Sequence, residues 1–160
     1  MIPPMNPDLD LTISRIIKAP RSAVWRAWTD PARFAQWWLP APMTCRVVEM
    51  EVAPGGALLT EMSEPGGEFT PHMSACFLAA DELQRIVFTT SLTGGWRPAD
   101  KPFIAMTAII TLREHAEGTD YSAVAMHKNP ADRQKHDELG FQDGWGTVTA
   151  QLAMLAEGEA

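Results

Sequence analysis

Four histidines, two cysteines and a scattered set of carboxylates are the residues of this chain that could do chemistry. A zinc site would place its Cys and His ligands in pairs about two to five residues apart. His72, His115, His127 and His136 show no such spacing, so no metal is expected. His72 follows Pro71 at the start of a strand and is the histidine placed to reach a pocket mouth. His115 reads as a turn residue, His127 as a strand-end surface residue and His136 as an exposed residue at a helix start. Glu51 and Glu61 are the carboxylates that could approach a sheet interior, where an ionised group needs a polar partner. Exposure to water is the simpler alternative for both. A His72–Glu61 pair would suit general acid–base work, yet nothing in the spacing selects it. Cys45 and Cys76, far apart in sequence, are expected to be buried free thiols. The chain has no Gly-x-Gly-x-x-Gly, no Walker A loop and no Gly-x-Ser-x-Gly. No cofactor and no catalytic residue are therefore assigned.

The apolar residues say more. In the stretch from Phe103 to Arg113, Ile104, Met106, Ala108, Ile110 and Leu112 form the more apolar of two alternating faces and should point inward. Ile86 and Phe88 should do the same, and Val124 and Met126 are placed with them. Nine methionines are a rich supply of side chains that fill irregular volume and repack around varied ligands. A plain core is the competing reading. The candidate lining of an apolar cavity is Trp38, Glu61, His72, Met73, Phe88, Trp96, Met106, Ile110, Met126, Phe141 and Trp145.

These residues need elements to hold them. Residues 10–18 alternate as a strand, and Ala19-Pro20 ends it. Arg21 to Thr29 carries Val24, Trp25 and Trp28 at helical spacing. Asp30 then caps a second short helix with Pro31 at its first position. Four of the six tryptophans fall in the fourteen residues from Trp25 to Trp38. Six further strands follow, separated by turn residues, at 44–52, 57–62, 72–78, 85–91, 103–113 and 119–127. The irregular loop from Leu92 to Pro102 presents Trp96 as a lid, as an interface anchor that would suit a homodimer, or as a ring folded back on its own loop. A closing helix starts at Asn129-Pro130, with Phe141, Trp145, Val148, Leu152 and Leu155 as its apolar stripe. Gly144 and Gly146, flanking Trp145, suggest a bend or close backbone approach there. If Trp145 is buried under the sheet, its truncation to alanine should cost about 3–5 kcal/mol.

The fold class that results is α+β: a curved seven-stranded antiparallel sheet around a long C-terminal helix, with two short helices after strand 1. A sheet too wide for one helix to fill leaves a cavity. The 160 residues are most simply one domain at 10–157, preceded by a loose arm at 1–9. Hydrophobic residues make up 46% of the chain, enough for a core. The formal net charge of −7 argues against nucleic-acid or anionic-membrane partners. No apolar run approaches the ~18 residues of a membrane span. The first residues lack the basic and apolar regions of a signal peptide, so a cytoplasmic location is expected.

The series Arg15, Ala19-Pro20, Val24-Trp25, Ala27-Trp28-Thr29-Asp30-Pro31, Trp37-Trp38 and Pro40 resembles the opening of the bacterial START-like (SRPBCC) proteins related to the C-terminal domain of the Hsp90 ATPase activator Aha1. Pro54-Gly55-Gly56, Ile86-Val87-Phe88-Thr89 and Gly144-Trp145 extend the likeness over about residues 12–155. The resemblance implies a helix-grip (Bet v 1-like) fold and a small apolar or lipid-like ligand. It also implies two alternatives: a chaperone as partner, with a link to stress response, or a cyclase- or hydrolase-like reaction in the same cavity. The chain departs from the family where Asp-x-Arg-x-Gly-Gly is common: residues 51–56 read Glu-Val-Ala-Pro-Gly-Gly and lack the arginine. A Gly-Tyr or Gly-x-Tyr commonly opens the fourth strand in the family, where this chain has Met73-Ser74-Ala75-Cys76-Phe77.

Overall fold

A computed structural model describes residues 4–159. Strand β1 (Asp10–Ile17) leads through Ala19-Pro20 into helix α1 (Arg21–Thr29) and the four-residue helix α2 (Pro31–Phe34). The Asp30 side chain accepts from the N–H of Ala32 at 2.9 Å and caps α2, with Pro31 at the first helical position. Strands β2 (Thr44–Met50), β3 (Ala57–Ser63), β4 (Thr70–Asp81) and β5 (Arg85–Thr89) follow. The expected irregular loop contains a small hairpin, β6 (Leu92–Thr93) and β7 (Arg97–Pro98). Strands β8 (Thr107–His115) and β9 (Gly118–Met126) complete the sheet, in the order β1-β9-β8-β5-β4-β3-β2, antiparallel throughout.

The expected closing helix is two helices. Helix α3 (Pro130–Glu138) is capped by Asn129, whose side chain accepts from the Asp132 N–H at 2.8 Å. Gly140 then adopts φ +94°, a left-handed conformation that ends α3 and starts α4 (Phe141–Gly158). The break therefore lies at Gly140. At Gly146 the backbone comes close to β1, where an added Cβ would stand 3.5 Å from Ile13 Cδ1, while Gly144 faces open space.

Helix α4 runs against α1 and β1, and α1 also approaches β8 and β9. That closeness decides which residues of β9 face inward. Thr119, Tyr121, Ala123 and Ala125 are buried, and Ala123 pairs with inward Ile110. Small side chains are needed beneath packed helices, so Val124 and Met126 lie on the outer face. This corrects the inward placement expected for both. The strand expected at 103–113 starts only at Thr107, but its inward face holds, with Met106, Ala108, Ile110 and Leu112 buried and Ile104 half-buried.

The last residues of the expected N-terminal arm are tied down. The Asn6 carbonyl accepts from the N–H groups of Leu9 and Asp10, and Leu9 C=O accepts from the His127 N–H at 3.0 Å. Residues 1–3 lie outside the described residues. Among the described residues no helix is long and apolar enough to cross a membrane.

Candidate functional site

The inner face of the sheet is sealed at one side and accessible at the other. Ile86, Phe88, Ala108, Ile110, Ala123 and Ala125, on β5, β8 and β9, have no exposed surface. On β2 and β4 the inward residues Val47 and Met73 are only half-buried. Ile104, ahead of β8, and Trp145 of α4 are half-buried as well. The accessible part of the grip is thus its β2–β4 wing.

An aromatic cluster forms the wall between the two regions. Trp28 meets Trp37 edge-on at 5.0 Å between ring centroids, and Phe34 stacks on Trp38 at 4.8 Å. Trp38 also reaches Phe88 at 6.1 Å and Trp145 at 6.0 Å, so it joins α2, the sheet and α4. Gln151 of α4 holds this segment by donating to the carbonyls of Trp37 and Leu39 at 3.0 and 2.8 Å. The cluster fills much of the interior in which a cavity was expected. Three buried indoles differ in their polar partners. Trp28 Nε1 donates to the Tyr121 hydroxyl at 3.1 Å and Trp37 Nε1 donates to the Ala27 carbonyl at 2.9 Å. Trp38 Nε1 is buried with no partner.

A β-bulge brings His72 into the wing. Thr60 pairs with Met73, and the next residue of β3, Glu61, pairs with Pro71, leaving His72 as the extra residue of β4. His72 Nδ1 lies 2.9 Å from Oγ1 of the fully buried, inward Thr60. Burial lowers the His72 pKa and favours the neutral ring at neutral pH. Sequence reasoning missed Thr60 and Val47. The alternation of Leu58 and Thr60 on β3 was the available signal.

Glu61 is on the opposite face. Its Oε1 accepts from Arg46 Nε at 2.9 Å, and the Arg46 guanidinium lies over the Phe69 ring at 4.2 Å. Register explains this: Arg46 pairs with Glu61 between two inward pairs, Cys45 with Met62 and Val47 with Thr60. Glu61 is therefore removed from the cavity lining, and no His72–Glu61 pair exists. Glu51 is exposed.

The remaining expected residues separate into groups. Phe88, Met106, Ile110 and Phe141 are core. Met73 and Trp145 sit at the accessible wing, and Trp145 stacks on Phe141 at 5.0 Å. Met126 is on the outer face. Trp96 is 53% exposed and rests on the turn between β2 and β3: an added Cβ at Gly55 would meet its Nε1 at 2.5 Å. The Gly95 N–H donates to the Gly55 carbonyl at 2.8 Å and fixes the hairpin there.

Both cysteines are free and buried, and burial pushes the Cys45 thiol up to about 11, away from reactive thiolate character. His127 and His136 are not surface residues. Both are buried, with His127 Nε2 at 2.9 Å from His136 Nδ1 and His127 Nδ1 at 2.8 Å from the Leu9 carbonyl. Among the described residues no three His, Cys, Asp or Glu side chains come together as metal ligands. Two surface depressions, of about 810 and 560 Å³, share Arg21 and Glu114 near the β8–β9 turn. Neither lies between α4 and the β2–β4 wing, and none of the expected lining residues borders them.

Residues 18–157 match the family model described as Activator of Hsp90 ATPase homolog 1-like protein. A crystal structure of a Nitrosomonas europaea protein is similar, at 38% identity over 97% of this chain and 98% of that one, with a TM-score of 0.86. A Mycobacterium smegmatis protein is 26% identical over 92% and 90% of the two chains, with a TM-score of 0.74. The solution structure of an AHSA1-like protein from Aeromonas hydrophila shares the fold at 16% identity, covering 94% of each chain with a TM-score of 0.65. No curated protein matches the chain.

Proposed function

Because the chain belongs to the Activator of Hsp90 ATPase homolog 1-like family, within the START-like superfamily, we propose that it binds a small apolar or lipid-like molecule at the β2–β4 wing of the sheet. The observation that carries this reading is the half-burial of Val47, Met73, Ile104 and Trp145, inward-facing apolar residues at the edge of a sealed core. Burying such surface contributes roughly 25 cal/mol per Å², so an apolar guest gains by covering it. Met73 adapts its shape to the guest, and Trp145 supplies a flat wall. His72 and Thr60 are polar groups beside Met73, on β4 and on β3 paired with it, and the neutral His72 ring adds no charge there.

The test is titration with N-phenyl-1-naphthylamine, a neutral apolar dye that brightens on leaving water. Saturable binding at one dye per chain is expected, with loss of binding in Met73→Asp and unchanged folding by circular dichroism. Absence of saturable binding would remove the reading. The family description also raises a chaperone partner. Capture of an Hsp90-class chaperone by a protein that takes up no dye would favour that function instead.

A further inference from the structure

We propose that His72 is the polar anchor of the β2–β4 wing: its Nε2–H donates to an acceptor oxygen on the guest, and Thr60 sets the ring for that role by occupying Nδ1. This rests on the ligand-binding reading above and adds the chemistry of the ligand. Thr60 is fully buried, and among the described residues the one hydrogen-bond partner of its hydroxyl is His72 Nδ1, at 2.9 Å. A hydroxyl has one proton to donate. Were Nδ1 protonated, it would donate to Thr60 and leave the hydroxyl proton buried without an acceptor, which folded proteins avoid. With Nδ1 as the acceptor, both groups are satisfied. The neutral ring then carries its proton on Nε2.

This donor can be reached. His72 is half-buried, and among the described residues no group bonds to its Nε2. The buried side-chain nitrogens without a partner are Trp38 Nε1 and Arg133 Nε, so His72 Nε2 has accessible surface. The contact with Thr60 fixes the ring on the inner face, because Thr60 points inward between its strand partners Val47 on β2 and Met73 on β4. Val47 and Met73 are the half-buried apolar residues of the wing. His72 adjoins Met73 in the chain, so a guest that covers Met73 meets the His72 ring. A hydrocarbon there takes Nε2–H from water and offers nothing in return. A guest oxygen restores the hydrogen bond while the apolar skeleton covers Met73 and Val47.

The oxygen should be uncharged, as in a ketone, an ester or an amide. Arg46 is the only Lys or Arg of β2, β3 and β4, and it lies on the outer face, paired with Glu61. Burial disfavours charge on the His72 ring itself. A carboxylate at this place would lose water without gaining a cation, which is costly. A carbonyl oxygen accepts from the neutral ring without that cost.

Imidazole ¹H–¹⁵N spectra of the intact chain near neutral pH test the ring. The His72 signals, assigned by their loss in His72→Phe, should show a protonated Nε2 and an unprotonated Nδ1. Thr60→Val lacks the hydroxyl and should show both tautomers. A wild-type His72 protonated at Nδ1 overturns the inference. Three probes of one skeleton then test the guest: 2-acetylnaphthalene, 2-ethylnaphthalene and 2-naphthoate. The wild type is expected to bind the ketone about 3- to 10-fold tighter than the hydrocarbon, and 2-naphthoate no tighter than the hydrocarbon. The Nε2 resonance should move with the ketone and stay nearly in place with the hydrocarbon. His72→Phe should bind ketone and hydrocarbon alike. Equal binding of the two by the wild type overturns the inference and leaves the apolar site standing. Tightest binding of 2-naphthoate overturns it as well, because the anchor would then be a cation. Binding of none of the three overturns the site and the inference together. The wild-type binding comparison holds even if neither variant folds.

Discussion

The indole Nε1–H of Trp28 donates to the hydroxyl of Tyr121 across 3.1 Å of fully buried core, and this bond fastens α1 to β9. Burial, opposed by the Trp28 hydrogen bond, holds the phenol above its usual pKa of 10.0, so the group stays a neutral hydroxyl at any ordinary pH. Tyr121→Phe keeps the ring and strands the Trp28 donor. A loss of about 1–3 kcal/mol is expected in urea unfolding. A loss below about 0.5 kcal/mol would mean that the two groups are not coupled. Trp28→Phe made on top of Tyr121→Phe should cost less than in the wild type, because the donor is then already unpaired.

Along α4, burial predicts an order of stability losses. Leu152 has no exposed surface, and its truncation to alanine should cost about 2–5 kcal/mol. A loss of about 3–5 kcal/mol at Trp145 was conditional on its burial beneath the sheet. It is half-buried, packed against Trp38, His136 and Phe141. Trp145→Ala should therefore cost about 1–2 kcal/mol and should weaken binding of N-phenyl-1-naphthylamine more than Leu152→Ala does. Guanidinium unfolding of both variants checks the order. A larger stability loss at Trp145 than at Leu152 would contradict the packing described.

The seven strands and two short helices were legible because alternation, Pro corners and Asp30-Pro31 are local signals. The two phases that sequence reasoning missed are set by distant packing. Val124 and Met126 look like the better core residues of β9, but the closeness of α1 selects Ala123 and Ala125. A bulge has no local signature strong enough to read, so the turn of His72 onto the face of Thr60 was visible only as one option for His72. His127 and His136 looked like surface residues because each is polar. Their burial depends on pairing across nine positions, which no periodicity shows. Glu61 was read as an inward candidate from its type, and its register opposite Arg46 sends it outward.

The Gly55–Trp96 contact predicts a coupled effect on stability and fluorescence. Gly55 has φ +86° and lies under the Trp96 ring, and Trp96 itself has φ +63°. Both backbones are in the left-handed region, which a side chain disfavours by about 1–2 kcal/mol. Gly55→Ala adds that strain and places a methyl group within 2.5 Å of the indole nitrogen. The ring must leave the turn. The variant should lose at least about 1 kcal/mol of stability, and the emission of Trp96, read as the difference from the Trp96→Phe background, should shift to the red. An unshifted Trp96 component would show that the hairpin does not dock there.

The His127–His136 pair predicts how stability falls with acid. The Leu9 carbonyl can only accept, so His127 Nδ1 carries a proton. In the neutral pair His127 Nε2 then accepts from His136 Nδ1–H. Burial, with the neighbouring His127 charge adding to it and Asp137 opposing it, lowers His136 from 6.5 to about 4. A lowered histidine pKa means that the unfolded chain takes up the proton first. The stabilisation is fully present above pH 6.5 and is lost as pH falls towards 4. Burial lowers His72 as well, so it acts in the same direction. The carboxylates lowered by their hydrogen bonds and ion partners, Asp30 and Asp132, lose their contribution only below their ordinary 3.8, outside this window. Urea unfolding at pH 7.5 and pH 4.5 should therefore differ by on the order of 2 kcal/mol in the wild type. His136→Gln keeps a donor for His127 and cannot titrate, so it should remove most of that difference. An equal pH dependence in wild type and variant would assign the acid sensitivity to other groups.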